Sequence, residues 1–343
     1  MYKTLSNGIK MPVIGFGTDW IDDSEQCCIA VKNAIRAGYR LVDTAAIYNN
    51  EPYIGRAIAE ILNQREVKRE DLFICTKIRW SATRFDDVLR SFDASMEGLG
   101  LEYIDQILLH HPNCLRNGID GDVVLWRALE RLYQEKRVRI IGVSNFQVWN
   151  LAPVVEEAEI KPMVNQLELN PQHQQPEIVR YCRKHGIVLQ AWNPLIRQGR
   201  HEVAIERIES MAKKYSKTWA QLLLRWSVQK GFVPLPKSVR NERIIENFNI
   251  FDFEISDDDM KAMDANEGRG FSGYSAVNEA MRLWQSREGK QKGGLPHVVI
   301  PPHKITKFHY NLYRLLSNIT FGKLRKKYKA KRRALKQLLK EKT

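Results

Sequence analysis

Three apolar, strand-like runs in this chain each stop at a polar residue, and they do so at nearly equal intervals. Tyr39, Leu41 and Val42 lead to Asp43; Leu72-Phe73-Ile74-Cys75-Thr76 leads to Lys77; Ile104-Asp105-Gln106-Ile107-Leu108-Leu109 leads to His110. The spacing is 34 residues from Asp43 to Lys77 and 33 from Lys77 to His110. A strand, a crossover helix and a parallel return take about 30 residues or more, so these polar residues fall at equivalent points of successive βα units. In a closed parallel barrel such points meet at the C-terminal mouth, where barrels of this kind carry their active sites. The loop after Asp43, Thr44-Ala45-Ala46-Ile47-Tyr48-Asn49-Asn50-Glu51, adds a phenol beside them.

The four side chains are chemically coherent. A phenol with an ordinary pKa of about 10 is a weak acid at neutral pH unless nearby positive charge stabilises its phenolate. Lys77 is expected to supply that charge, Asp43 to hold the lysine charged and aimed, and His110 to donate a hydrogen bond to a carbonyl oxygen. Protonating an oxygen as it gains negative charge is what carbonyl reduction by hydride requires. Singly, the same residues read as an N-cap, a rim tyrosine, a surface lysine and a satisfied core histidine; the joint pattern favours a site.

The rest of the chain alternates in the same way. Residues 2–12 form a hairpin around Ser6-Asn7-Gly8, whose turn residues tolerate positive φ. Strands are predicted at 14–18, 40–43, 72–77, 104–109, 139–146, 163–167, 187–195 and 231–234. Helices are predicted at 24–37, 51–63, 85–99 and 122–134, with a further one capped by Ser256 and boxed by Asp259, ending near Asp264. This is the signature of a parallel α/β architecture. The Gly15-Phe16-Gly17 motif is not a dinucleotide fingerprint, because Asp19-Trp20 stand where a third glycine and a helix start belong.

The segment Gly38-Tyr39-Arg40-Leu41-Val42-Asp43-Thr44-Ala45-Ala46 with Tyr48, the pair Thr76-Lys77, and Leu108-Leu109-His110-His111-Pro112 closely resemble the aldo-keto reductase family over residues 2–274. That resemblance implies a (β/α)8 TIM barrel with an N-terminal β-hairpin closing its floor, and a catalytic tetrad of Asp43, Tyr48, Lys77 and His110. It implies NADP(H) as cofactor, with no metal. Ser144, Asn145 and Gln166 would bind the nicotinamide carboxamide, for which hydroxyl and amide groups offer donors and acceptors. Helix capping is the alternative for Ser144 and Asn145. Trp192-Asn193 stands where the family usually has Tyr-Ser, and Trp192 can stack on the nicotinamide at least as well. The glycines of residues 14–18 would allow close packing on cofactor and substrate, and Trp20 would wall the pocket.

Leu235-Pro236-Lys237-Ser238-Val239-Arg240 and the following Arg243-Ile244-Ile245-Glu246-Asn247 resemble the family's cofactor-phosphate loop. Lys237, Ser238 and Arg243 offer two cations and a hydroxyl to the 2′-phosphate that separates NADP from NAD, and Glu246 and Asn247 match positions near the adenine. A solvated, charged helix start is the plainer reading. Three pocket departures stand out: Arg79, where a tryptophan often sits, His111, which replaces the tryptophan after the catalytic histidine, and Asn193, which replaces a serine. Exchanging aromatic walls for such groups favours polar, sugar-derived or anionic carbonyls, unless Arg79 simply faces solvent.

Charge is distributed unevenly. Of the net +14, residues 303–343 carry +13, from 14 Lys and Arg against the single acid Glu341. Three segments follow: a reductase-like barrel (1–274), a linker or loop (275–302) and a basic amphipathic tail (303–343). The tail suits an anionic membrane surface, a protein partner or weak packing on its own barrel. No nucleic-acid partner is expected, because no base-reading motif accompanies it. Five scattered cysteines without CxxC spacing indicate neither a disulfide framework nor a zinc site. With no signal-peptide core and no run of about 18 apolar residues, a cytoplasmic monomer is expected, with peripheral attachment at the inner membrane face through the tail as a further option. The function so implied is NADPH-dependent reduction of an aldehyde or ketone with tyrosine as general acid. The alternative is a reductase-like NADP(H)-binding sensor or scaffold anchored by the tail.

Overall fold

Two central strands, β5 (Phe73–Ile78) and β6 (Ile104–Leu109), are buried at every position, as strands covered on both faces must be. The computed structural model of the chain describes residues 1–112, 119–196 and 202–267. The hairpin strands β1 (Tyr2–Thr4) and β2 (Lys10–Pro12) come first, followed by β3 (Gly15–Gly17) and β4 (Leu41–Asp43). After β6 come β7 (Val138–Ser144), β8 (Val164–Glu168), β9 (Val188–Trp192) and β10 (Val233–Pro234). Strands β3 to β10 pair in parallel, each with its neighbour in sequence. This is the (β/α)8 barrel that the alternation implied.

The seam between β10 and β3 is closed by Gly17, whose N–H donates to Pro236 O at 2.9 Å. A Cβ on Gly17 would lie 3.0 Å from Leu235 O, and one on Gly15 would meet Leu41 Cδ2 at 2.3 Å. The close approach that these glycines permit is therefore between β3 and its barrel neighbours.

Amphipathic helices cover the sheet: α1 (Ser24–Ala37), α2 (Glu51–Asn63), α3 (Phe85–Leu99), α4 (Ile119–Gln134), α5 (Val148–Glu157), α6 (Pro176–Lys184), α7 (Glu202–Lys214), α8 (Trp219–Gln229), α9 (Asn241–Phe248) and α10 (Asp257–Asp264). Helix α1 starts at Asp23, whose Oδ1 accepts from Gln26 N–H at 2.6 Å, and ends at Gly38 with φ 112°. Helix α4 begins three residues ahead of the predicted Asp122. Ser256 caps α10 by accepting from Asp259 N–H at 3.3 Å, but the expected reciprocal bond from Asp259 does not form. Tyr215 intervenes: its oxygen accepts from Ser256 N–H at 3.1 Å while its hydroxyl donates to Asp259 at 2.6 Å.

The hairpin sits at the N-terminal ends of the strands. Lys3 Nζ donates to Gly231 O, and Asn7 Nδ2 donates to Arg139 O at 3.1 Å, both at the start of barrel strands. Met11 reaches the barrel axis, fully buried, with its sulfur 3.3 Å from Gln190 Nε2. The expected loop over the mouth from Gly268 to Tyr274, the linker 275–302 and the basic tail 303–343 lie outside the described residues. No helix among the described residues is long and apolar enough to cross a membrane. Met11→Ala should cost about 2–5 kcal/mol in urea unfolding; a loss under about 1 kcal/mol would mean that the plug is not packed.

Candidate active site

Strand β5 carries Lys77 toward the barrel interior at its C-terminal end, where the side chain is 1% exposed. Its ammonium donates to Asp43 Oδ2 at 2.7 Å and to the Thr44 carbonyl at 2.8 Å, and it lies 3.4 Å from the Tyr48 oxygen. An ammonium has three donors, so these three oxygens account for all of them. The other Asp43 oxygen accepts from Gln166 Nε2 at 2.8 Å. Gln166 Nε2 also lies 3.0 Å from Gln190 Oε1, and Gln190 exchanges two hydrogen bonds with Gln106. A buried amide chain thus runs from the Met11 plug up to Asp43. Helix α2 takes Asn50 as its N-cap residue, so Asp43 is free of the capping role that was its plainer reading.

Tyr48 ends a short 3₁₀ turn, Ala46–Tyr48, held from both sides. Asn50 Nδ2 donates to Thr18 O at 2.9 Å and Asn50 Oδ1 accepts from the Thr44 hydroxyl at 2.8 Å. Arg79 Nη2 donates to Ala46 O at 3.0 Å and to Asn49 Oδ1 at 3.3 Å. Arg79 is therefore engaged with the tyrosine turn. It also borders a groove of about 550 Å³ shared with Glu51, Pro52, Arg90 and Ser91.

Burial pushes the half-buried Tyr48 phenol above its ordinary value. Lys77 pulls it down, as the sequence led one to expect, but is outweighed by burial together with the carboxylates of Asp43 and Asp19. At neutral pH Tyr48 is a protonated donor. Burial is the largest single influence and works against the Lys77 charge, yet Asp43, with Tyr48 and Cys75, outweighs it and holds the ammonium above the usual lysine range.

His110 follows β6, 8% exposed, with its ring edge-on to Tyr48 at a centroid distance of 5.8 Å. His111 stacks on it at 4.2 Å and 21°. Burial, His111 and Lys77 hold His110 well below the ordinary histidine pKa, and burial and Lys77 take His111 down to about 3. Both rings are neutral at pH 7.

Of the residues assigned by resemblance to the nicotinamide, Ser144 Oγ donates to Gln166 O at 3.0 Å. Asn145 takes a left-handed backbone at φ 64° and bonds Ser144, His110, His111 and Trp192 through its side chain. Neither caps a helix, because Gln147 is the N-cap of α5. Trp192 ends β9 half-buried, and Asn193 Nδ2 donates to Glu168 Oε1 at 2.7 Å. In the expected phosphate loop, Lys237 and Arg243 are exposed and Ser238 is 9% exposed, its Oγ accepting from Arg240 N–H at 3.1 Å. Glu246 accepts from the Thr218 hydroxyl at 2.8 Å, and Asn247 is buried. Trp20 stands at φ 61° and is 70% exposed.

The supporting groups Thr44, Gln106, Gln190, Glu51 and Glu168 were not singled out from sequence. The legible signal for Gln190 is an amide inside an otherwise apolar strand run; the others carry no such mark.

Residues 13–267 match the sequence model of the aldo/keto reductase family. The chain belongs to the aldo-keto reductases. Among curated members, it is 43% identical over 267 residues to the uncharacterized oxidoreductase YtbE of Bacillus subtilis (strain 168), covering 76% of this chain and 91% of that one. It is 44% identical over 261 residues to the glyoxal reductase of the same organism, with the same coverage. Among solved structures, the Bombyx mori aldo-keto reductase in complex with NADP superposes with a TM-score of 0.73 at 31% identity, over 79% of this chain and 94% of that one.

Beneath this aldo-keto reductase site, Glu51 is 7% exposed and its Oε1 accepts from the Thr76 hydroxyl at 2.6 Å. Burial raises its pKa, against the pull of Thr76, Arg79 and Lys77. The folded state then holds the proton after the unfolded chain has released it, so this group's contribution is full at low pH and falls as pH rises through the raised value. Glu51→Gln is expected to flatten that fall in urea midpoints measured from pH 4 to 7 and to be at least as stable at pH 7. A variant with an unchanged slope would refute the assignment.

Proposed function

We propose that this aldo-keto reductase reduces an aldehyde or ketone to the alcohol with NADPH. The observation that carries the reading is the Lys77 ammonium, shared between Asp43 at 2.7 Å and Tyr48 at 3.4 Å at the barrel mouth. NADPH, when bound, supplies the hydride for the carbonyl carbon. Tyr48, protonated at neutral pH, then delivers its proton to the carbonyl oxygen. Lys77 stabilises the phenolate that this transfer leaves behind, and Asp43 keeps Lys77 charged and aimed. His110, being neutral, can donate to the carbonyl oxygen and orient it without competing as an acid.

The chain's residues suit the cofactor. Lys237 and Arg243 are exposed cations with no carboxylate partner among the described residues, flanking the nearly buried Ser238. That set fits a 2′-phosphate. Trp192, half-buried at the end of β9, offers an indole to a nicotinamide ring. An NADP complex in a relative of the same fold supports the assignment. For the substrate, His111 in place of an aromatic wall favours a small polar or sugar-derived carbonyl. The relative named a glyoxal reductase is in keeping with that class.

NADPH oxidation over a panel that sets sugar-derived and carboxylated carbonyls against aromatic aldehydes should give higher kcat/KM for the polar set. Tyr48→Phe should lower turnover on every substrate by about 10²–10⁴-fold. A Tyr48→Phe enzyme of near-normal rate would remove the phenol from the mechanism, and a preference for aromatic aldehydes would overturn the substrate class. Replacing Lys237 and Arg243 together by alanine should raise KM for NADPH by about 10-fold or more and leave KM for NADH within about 3-fold. Equal effects on both cofactors would contradict the phosphate assignment.

A further inference from the structure

His110 lacks the usual device for fixing an imidazole. A histidine ring is ordinarily oriented by a hydrogen bond at its second nitrogen, yet His110 Nδ1 is buried and has no partner among the described residues. The ring lies against Tyr48 edge-on and is stacked by His111, 4.2 Å away. His111 is in turn tied by its Nδ1 to Asn145 Nδ2 at 3.2 Å.

The orientation of that tie follows from donor and acceptor bookkeeping. Trp192 Nε1 is 2.9 Å from Asn145 Oδ1, and an indole nitrogen can only donate. The amide oxygen must therefore face Trp192 and the amino group must face His111. An amino group cannot accept, so His111 Nδ1 must be unprotonated, with its proton on Nε2. The His110 carbonyl, an acceptor only, fixes the amide the same way round. The amino group also donates to the His110 carbonyl at 3.1 Å and lies 3.0 Å from Ser144 Oγ, which ties the backbone of the same histidine.

We propose that His111 is a positioning residue: locked in one tautomer by the Asn145 amide, which the His110 carbonyl and Trp192 hold in one orientation, it sets the plane of the His110 ring and ties it to the residue on which the nicotinamide would stack. The inference rests on the carbonyl-reduction reading for its consequence, though its geometry stands without it. Protonating His111 would set an N–H against the amide N–H₂, so the lock requires a neutral ring. The charged and titratable groups that face the pair are Lys77 and Tyr48, and Asp43 and Asp19 act in turn on Tyr48. Of these, Lys77 opposes protonation of both rings.

Imidazole ¹⁵N NMR of the full-length, cofactor-free protein tests the lock directly. The wild type should show His111 as the Nε2–H tautomer, neutral down to pH 5. Asn145→Ala should convert it to a tautomer mixture, and His111→Ala should shift the His110 signals. A wild-type His111 protonated on Nδ1, or His110 signals indifferent to His111→Ala, would overturn the proposal whatever the activity. In turnover, His111→Ala should lower kcat by about 10–100-fold with NADP⁺ affinity, read by fluorescence quenching, changed less than about 3-fold. His111→Phe, which keeps a stacking face, should regain most of the loss. Alanine and phenylalanine variants equally active with wild type would contradict the role. A wild type that reduces no carbonyl would instead refute the functional reading and leave the NMR result standing.

Discussion

An ammonium buried at the end of a barrel strand organises the site. Removing such a charge from water costs several kcal/mol, and here Asp43, the Thr44 carbonyl and the Tyr48 oxygen together take its three protons. Loss of Asp43 would leave the Lys77 charge buried without its counter-ion, which is costly. The consequence is directional: the phenol is held next to a fixed positive charge, and any negative charge that develops on it is met without rearrangement. Burial alone would make Tyr48 a poor proton donor; the adjacent ammonium is the element that opposes this.

The barrel supports that charge from below as well as from the side. Met11 fills the floor, Gln190 and Gln106 pair across the axis, and Gln166 hands the chain of hydrogen bonds to Asp43. An amide ladder satisfies polar atoms that a barrel interior would otherwise strand, and it fixes the carboxylate that aims the lysine. At the rim, Arg79 and Asn50 hold the Tyr48 turn while Asn145 joins β7 to the end of β9 and to the histidine pair. Floor, axis and rim are thus one connected polar structure inside an apolar shell.

Much of this was legible in the sequence, for identifiable reasons. Asp43, Lys77 and His110 could be placed because crossover length fixes successive strand ends at one level, and Tyr48 because it shares the loop of Asp43. The helices 24–37, 51–63 and 85–99 have the bounds that their apolar periodicity predicts. What escaped was set by contacts across long stretches of chain. Gln106 and Gln190 meet 84 residues apart, and nothing local marks them as partners. Asp259 reads as half of a capping box until Tyr215 arrives from the end of another helix to take its place. Arg79 reads as a pocket wall because spacing shows where a residue sits and not which carbonyl its guanidinium will reach.

The most direct test of the account is a crystal structure of the enzyme with NADP⁺ and a carbonyl-bearing ligand. The account predicts the carbonyl oxygen about 2.6–3.2 Å from both the Tyr48 hydroxyl and a His110 ring nitrogen, with Lys77 still bonded to Asp43 and the nicotinamide against Trp192. A ligand carbonyl bound away from Tyr48, or a Lys77 ammonium that has left the phenol and the carboxylate, would contradict it.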